Sequence, residues 1–147
     1  MANKVCDALQ LENQLCFPLY AASREVIKLY RPYLDALGLT YTQYIVLLVI
    51  WEQYTVSVRD LGNRLYLDSG TLTPVLKTLE KAGLITRRRS DVDERVLMVT
   101  ITDVGLALQA GAQEIPARIG EGIGLDAAEA LQLKALLGKI LASSGEA

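Results

Sequence analysis

Between Ser57 and Thr102 the chain carries, in a fixed order that few folds accept, a capped helix, a tight turn, a second capped helix, a glycine stop and two β-branched runs. Ser57, with Asp60 three positions later, opens a short helix running to about Tyr66, with Val58, Leu61 and Leu65 inward. Asp68 or Ser69 caps the next helix, whose apolar stripe is Leu72, Val75, Leu76 and Leu79 and whose stop is Gly83. Two helices joined by a few residues make a helix-turn-helix. On the second, Gly70, Thr73, Pro74, Lys77 and Lys81 lie off the stripe and form a small, polar, basic outer face of the kind a major groove admits. Leu84 to Arg89, the turn-rich Ser90 to Glu94 and the run Arg95 to Ile101 read as a hairpin. A hairpin bearing Arg87, Arg88 and Arg89 directly after a helix-turn-helix makes a wing, whose tip can reach a minor groove where arginine is electrostatically favoured. The plain alternative is an ordinary core helix pair followed by a solvated strand.

The flanks are helical. Leu11 to Tyr30 has Leu15, Leu19, Ala22, Val26 and Leu29 at spacings of three and four, Pro18 is tolerated if the helix begins at about Cys16, and Arg31-Pro32 weakens or ends it. Thr40 with Gln43 caps a second helix through Ile45, Leu48, Val49 and Trp51, apolar nearly all round and so expected to be buried; the hydroxyls of Tyr41 and Tyr44 then need partners. Thr102 and Asp103 start a helix that continues past Leu106, Leu108 and Ile115, with a kink or break at Pro116, until the glycines at 120, 122 and 124 interrupt it. Asp126 with Glu129 caps a last helix carrying Leu131, Leu133, Leu136, Leu137, Ile140 and Leu141. The expectation is a mainly α fold with a small β-hairpin wing, in one domain spanning 1–147. The winged helix-turn-helix lies at about 57–102, and helices at about 11–33 and 103–143 have apolar surface to spare for a homodimer.

Composition narrows the chemistry. Zero histidines exclude Ser-His-Asp and Cys-His arrangements and any imidazole metal ligand, and two cysteines alone cannot make a structural zinc site. No metal, no cofactor and no enzymatic activity are expected. No segment approaches the ~20 uninterrupted apolar residues a membrane span needs, and Met1-Ala-Asn-Lys-Val-Cys lacks a signal-peptide core, so a cytoplasmic protein is expected. The net charge of −2 gives no global attraction to nucleic acid, but its distribution is uneven. Six basic residues face four acidic ones between Lys77 and Arg95, whereas from Asp103 onward three basic residues face six acidic ones.

Cys16 opens the first long helix. Unpaired N–H groups and the positive end of the helix dipole favour a thiolate at such a position, so Cys16 reads either as a reactive centre or as a small hydrophobic core residue. Spacing alone leaves both open.

Several stretches carry a family resemblance. The helix-turn-helix through Gly83, Asp93-Glu94-Arg95 and Thr102-Asp103-Val104-Gly105 resemble the MarR family of transcription regulators. More narrowly, Glu12 to Phe17, Leu19 to Arg24, Leu37 to Tyr41 and Asp68 to Pro74 resemble its organic-hydroperoxide-sensing branch. The resemblance implies a dimeric repressor on double-stranded DNA, at a pseudo-palindromic operator, whose N-terminal cysteine is oxidised by an organic hydroperoxide that thereby releases the DNA. Carried over by position, Cys16 matches the sensing cysteine, and Tyr30 and Tyr41 match the tyrosines that hydrogen-bond it. Ser69, Thr71, Asp93 and Arg95 join the residues expected to face DNA.

Helix geometry adds a constraint. Tyr20, four residues after Cys16, can lie beside it, but Tyr30 is fourteen residues on, about 21 Å along the axis at ~1.5 Å per residue. If Tyr30 contacts the thiol it must come from the other protomer, with the two first helices antiparallel across the dimer. Oxidation to a sulfenic acid would force the tyrosines to rearrange and could change the spacing of the two reading helices. No cysteine follows Cys16, so a disulfide to a late resolving cysteine is excluded; the oxidised thiol must continue as a mixed disulfide with a small thiol, a sulfenamide or an over-oxidised acid, unless Cys6 takes part. Two rival functions remain: a MarR-type repressor gated by a small phenolic or lipophilic ligand with a structural Cys16, and a thiol-dependent peroxidase.

Overall fold

The computed structural model describes residues 6–145. Residues 1–5, read above as lacking a signal-peptide core, and Glu146 of the acidic tail lie outside the described residues. The chain divides into two compact units, the first ending at Glu114 and the second beginning at Ile115.

The first unit starts with two 3-10 turns, Asp7–Leu9 and Leu11–Asn13, followed by helix α1 at Cys16–Asp35 and α2 at Tyr41–Gln53. A short strand β1, Thr55–Ser57, leads into α3, Val58–Leu65, and α4, Ser69–Lys81. Strands β2, Ile85–Arg89, and β3, Leu97–Ile101, form the hairpin, and the short helices α5, Asp103–Ala107, and α6, Gln109–Ala112, complete the unit. The sheet is antiparallel with order β1-β3-β2, Val56 opposite Val99 and Ile85 opposite Ile101. Its core is built from Leu47 and Ile50 of α2, Leu61 of α3, Leu72, Leu76 and Leu79 of α4, and Ile85 and Val99 of the wing, all buried. Helix α2 is buried on most sides, as its all-round apolar sequence requires.

The second unit comprises α7, Ile115–Ile123, and α8, Ala127–Ser144, the latter opened by a capping box between Asp126 and Glu129. Along α8, Leu131, Leu133, Leu136, Ile140 and Leu141 are exposed, as are Phe17, Leu19, Ile27 and Tyr33 along α1. Among the described residues no helix is long and apolar enough to cross a membrane.

Three boundaries differ from the sequence expectation. Arg31-Pro32 does not end α1, which continues to Asp35. An internal proline costs about 3 kcal/mol, and full burial of Leu34 two residues later, worth about 1.5–3 kcal/mol, offsets much of that cost. The helix stops where Gly38 takes φ +68. The region after the wing breaks into α5, α6 and α7 before Pro116, which sits in the first turn of α7 where its missing N–H costs little. Gly120 and Gly122 stay helical, and only Gly124, at φ +79, interrupts. Strand β1 has no signature in the sequence: three residues give no period, and its pairing to β3 spans more than forty residues of chain.

Candidate DNA-binding surface and thiol site

The helix-turn-helix is held by local chemistry. The Ser57 hydroxyl accepts the Asp60 N–H at 3.0 Å, and Asp68 Oδ1 accepts the Thr71 N–H at 2.7 Å, so both helices start where the sequence places them. The Thr71 N–H and hydroxyl hold the Asp68 carboxyl below its ordinary range. The turn between α3 and α4 depends on Gly62. A Cβ there would meet the Leu67 carbonyl oxygen at 2.7 Å and Leu72 Cδ1 at 3.3 Å, so a larger residue would push the two helices apart. With Leu72, Leu76 and Leu79 buried, α4 presents Ser69, Gly70, Thr71, Pro74, Lys77 and Lys81 to solvent, and Thr73 is half-buried with its hydroxyl donating to Ser69 O at 2.7 Å.

The wing sorts its arginines by face. Strand alternation puts Arg87 on the same side as buried Ile85, toward α4. There its backbone N–H donates to Glu80 Oε2 at 3.0 Å and its Nη2 to Glu80 Oε1 at 3.1 Å, while its Nε is buried without a partner among the described residues. Arg87 thus fastens the wing to α4 instead of standing on the outer surface expected for it. The guanidinium also holds the Glu80 carboxyl below its ordinary range. Arg88, on the other face, is exposed, and Arg89 Nη1 donates to the Arg95 carbonyl at 3.4 Å.

At the tip, Asp93 receives Arg95 as a fork: Nε to Oδ1 and Nη2 to Oδ2, both 3.1 Å, with the Arg95 backbone N–H also on Oδ1 at 3.0 Å. The same bonds hold the Asp93 carboxyl below its usual range. The Arg95 side chain nevertheless remains 90% exposed. A projecting guanidinium already oriented by its neighbour loses little rotamer freedom on meeting a polyanion. Between this tip and the helix pair runs a groove of about 1170 Å³, lined by Asn63, Ser69 and Thr73 on one side and Asp93 and Arg95 on the other. Arg95→Ala is expected to lower operator affinity roughly tenfold or more with no change in thermal stability, measured by mobility shift and thermal melting. Equal operator affinity in the variant would remove Arg95 from the interface.

Cys16 is the first residue of α1 and is exposed; the N-cap residue, Leu15, offers no side-chain hydrogen bond, and Pro18 has no N–H. Within a single chain Cys16 is therefore not part of the core. Tyr20 is exposed on the same helix, with Arg24 stacked 5.5 Å from its ring centroid and Nη1 3.5 Å from its hydroxyl. Three other tyrosines, Tyr30 of α1 with Tyr41 and Tyr44 of α2, form a cluster away from Cys16. The Tyr30 ring lies 5.0 Å from Tyr41 and 5.7 Å from Tyr44, whose own rings are 6.3 Å apart. This cluster, including Tyr44, joins two elements that the sequence shows only separately.

Burial raises all three phenols, and Tyr30, crowded further by Tyr41 and Tyr44, is pushed up to about 12. They are neutral donors at physiological pH. Since the folded state holds the Tyr30 proton more tightly than the unfolded chain, whose phenols titrate near 10, that contribution to stability is complete below about pH 10 and is lost as pH rises through about 12. A spectrophotometric titration should show a late phenolate step that Tyr30→Phe removes; seven tyrosines titrating together near 10 would contradict the cluster.

Comparison with known proteins agrees with this geometry. Residues 28–109 match the SarA/Rot family of transcriptional regulators. The chain is 51% identical over 142 residues to the organic hydroperoxide resistance transcriptional regulator of Bacillus subtilis (strain 168), covering 96% of this chain and 95% of that protein. Among solved structures, reduced AbfR bound to DNA, a protein of Staphylococcus epidermidis, is 38% identical with a TM-score of 0.76, covering 90% of this chain and 93% of that one. A cysteine-to-serine variant of MarR from E. coli complexed with operator DNA is 27% identical with a TM-score of 0.79, covering 86% and 93%. With a capped helix-turn-helix, an arginine-tipped wing and an exposed cysteine opening its first long helix, the chain belongs to the MarR family of winged-helix transcriptional regulators, in the branch of the organic hydroperoxide resistance regulators.

Proposed function

We propose that this protein is a homodimeric, DNA-binding repressor that releases its operator when an organic hydroperoxide oxidises Cys16. The observation that carries the reading is the exposed Cys16 at the start of α1, fourteen residues along that helix from Tyr30 of a cluster of neutral phenols. Two copies with antiparallel first helices would set the Cys16 of one against the partner's Tyr30. Because Tyr41 lies 5.0 Å from Tyr30 within one chain, the partner's Tyr41 would arrive with it. The exposed apolar side chains of α1 and α8 supply surface for such a pairing.

In the reduced dimer the phenols donate to the sulfur and the two α4 helices match successive major grooves, with Arg88 and Arg95 near the backbone and minor groove. The chemistry is a two-electron oxygen transfer. Sulfur attacks the peroxide, the O–O bond breaks, an S–O bond forms, and the hydroperoxide leaves as its alcohol while the thiol becomes a sulfenic acid. The larger, differently bonded group no longer fits the phenol cluster, and the shared first helices pass that misfit to the spacing of the reading helices. A chain that acts on chromosomal DNA in this way works in the cytoplasm.

The test pairs intact mass spectrometry with a mobility shift before and after one equivalent of cumene hydroperoxide. A gain of oxygen on Cys16 accompanied by loss of the shifted band is expected. Undiminished DNA binding by fully oxidised protein would overturn the reading, and release by a phenolic ligand without any mass change would favour the ligand-gated alternative.

A further inference from the structure

The groove between the wing tip and the helix pair holds a cation that the fold itself does not use. Arg59 and Asn63 of α3 stand four residues apart on one face of that helix, both exposed, and both line the groove that Asp93 and Arg95 bound on the wing side. Among the described residues neither side chain has a hydrogen-bond or ion-pair partner. The other arginine of α3 differs: Arg64 lies off the lining and pairs with Glu52 at 2.8 Å. Three carboxylates share the lining, and each is already answered. Asp60 accepts the Ser57 hydroxyl at 2.8 Å, Asp68 accepts the Thr71 N–H at 2.7 Å, and Asp93 is forked by Arg95. Asp60 and Asp68 also sit at the starts of α3 and α4, where each helix dipole offsets about half a charge. What is left to meet an occupant is a guanidinium and a primary amide, both N–H donors.

A duplex separates its major groove from its minor groove by a single sugar–phosphate strand. With α4 in one groove and the wing tip in the next, that strand must cross the space between them, and the first helix of a helix-turn-helix lies across the backbone. We infer that the groove between α3, α4 and the wing is the seat of that strand, and that Arg59, with Asn63 beside it, holds one of its phosphates. The inference rests on the DNA-binding reading and is independent of the thiol. Arg59 meets the strand from the α3 side and Arg95 from the wing, so the backbone is gripped between two guanidiniums. A phosphate carries no sequence information, so the contact fixes the register of the protein on the duplex and chooses no base. Discrimination between sequences then stays with the outer face of α4, while α3 supplies part of the affinity for any duplex.

The experiment uses the full-length protein and two duplexes of equal length, an operator recovered by selection from random-sequence DNA and a scrambled one. Arg59→Gln is expected to weaken binding to both roughly tenfold, with the ratio between them unchanged, and to lower the slope of log affinity against log salt by about 2 per dimer. Arg59→Lys should keep the parent's slope, and so should Arg64→Gln, which breaks only the pair with Glu52. Single neutral methylphosphonates walked along the operator then locate the contact. One position in each half-site, between the footprints of the reading helix and the wing, should weaken the parent and cost Arg59→Gln nothing further. An unchanged salt slope in Arg59→Gln would overturn the inference, as would additive losses at every methylphosphonate. Loss of operator binding with scrambled binding intact would make Arg59 a base reader and overturn it equally. A parent protein that binds neither duplex would fail the DNA-binding reading itself, a result distinct from a parent that binds both and an Arg59→Gln variant that matches it.

Discussion

Cys16→Ser is expected to bind operator DNA within about twofold of the parent and to stay bound at hydroperoxide levels that release the parent completely. Serine keeps the size of the side chain and a hydrogen-bonding atom for the phenols, so the reduced geometry survives; its oxygen cannot take a second oxygen from a peroxide. Because Cys16 is exposed and outside the core, the exchange leaves no cavity. The measurement is a mobility shift titrated with cumene hydroperoxide. Release of the serine variant at the parent's concentration would shift the sensing role to Cys6, also exposed, or to an oxidant-independent ligand. A parallel Cys6→Ser variant separates those outcomes, since under the proposal it responds as the parent does.

The second large effect concerns stability. Gly105→Ala is expected to destabilise the fold by ~3 kcal/mol and, through the wing, to weaken DNA binding. A Cβ at position 105 would run into the Leu84 carbonyl oxygen and stand 2.5 Å from Ile101 Cδ1. The backbone carbonyl cannot give way cheaply. The Leu84 carbonyl already accepts the Thr102 N–H at 3.1 Å, the Thr102 hydroxyl donates to Gly83 O at 2.6 Å, and Trp51 Nε1 donates to Gly105 O at 2.9 Å. This knot ties the end of α4, the root of the wing, the start of α5 and the middle of the first unit to one backbone position. A urea midpoint unchanged from the parent would show that the knot is slack. Gly70→Ala is the internal contrast, because its Cβ would meet only Asp68 Oδ1 at 3.3 Å, on an exposed face.

What the sequence made legible is what short-range chemistry decides. The caps at Thr40, Ser57, Asp68, Thr102 and Asp126 all stand where a polar residue followed by a helical stripe places them, and each side chain accepts an N–H three residues on. The glycine stop after α4 is likewise local, Gly83 taking φ +77. What escaped depends on partners far along the chain. Strand β1 exists because β3 offers it an edge, and Gly62 and Gly105 are required by backbone approaches that no local pattern encodes. Arg87 is a different case. The signal was present, since Ile85 and Arg87 are two apart on one strand, and strict alternation would have sent that arginine inward toward Glu80. The tyrosine cluster is half visible: resemblance points to Tyr30 and Tyr41, but their contact, with Tyr44, is a matter of how α1 crosses α2.

In the proposed dimer, the separation of Cys16 from Tyr30 by fourteen residues of one helix has a genetic corollary. A sensor assembled from two copies of the same helix is divided between two gene products, each holding half of each site. A subunit lacking the thiol still lends its phenols, and a subunit lacking Tyr30 still lends its thiol. Co-expressed, two alleles that are each blind to peroxide would regenerate one complete sensor per mixed dimer, so a merodiploid carrying both should recover part of the response that neither has alone.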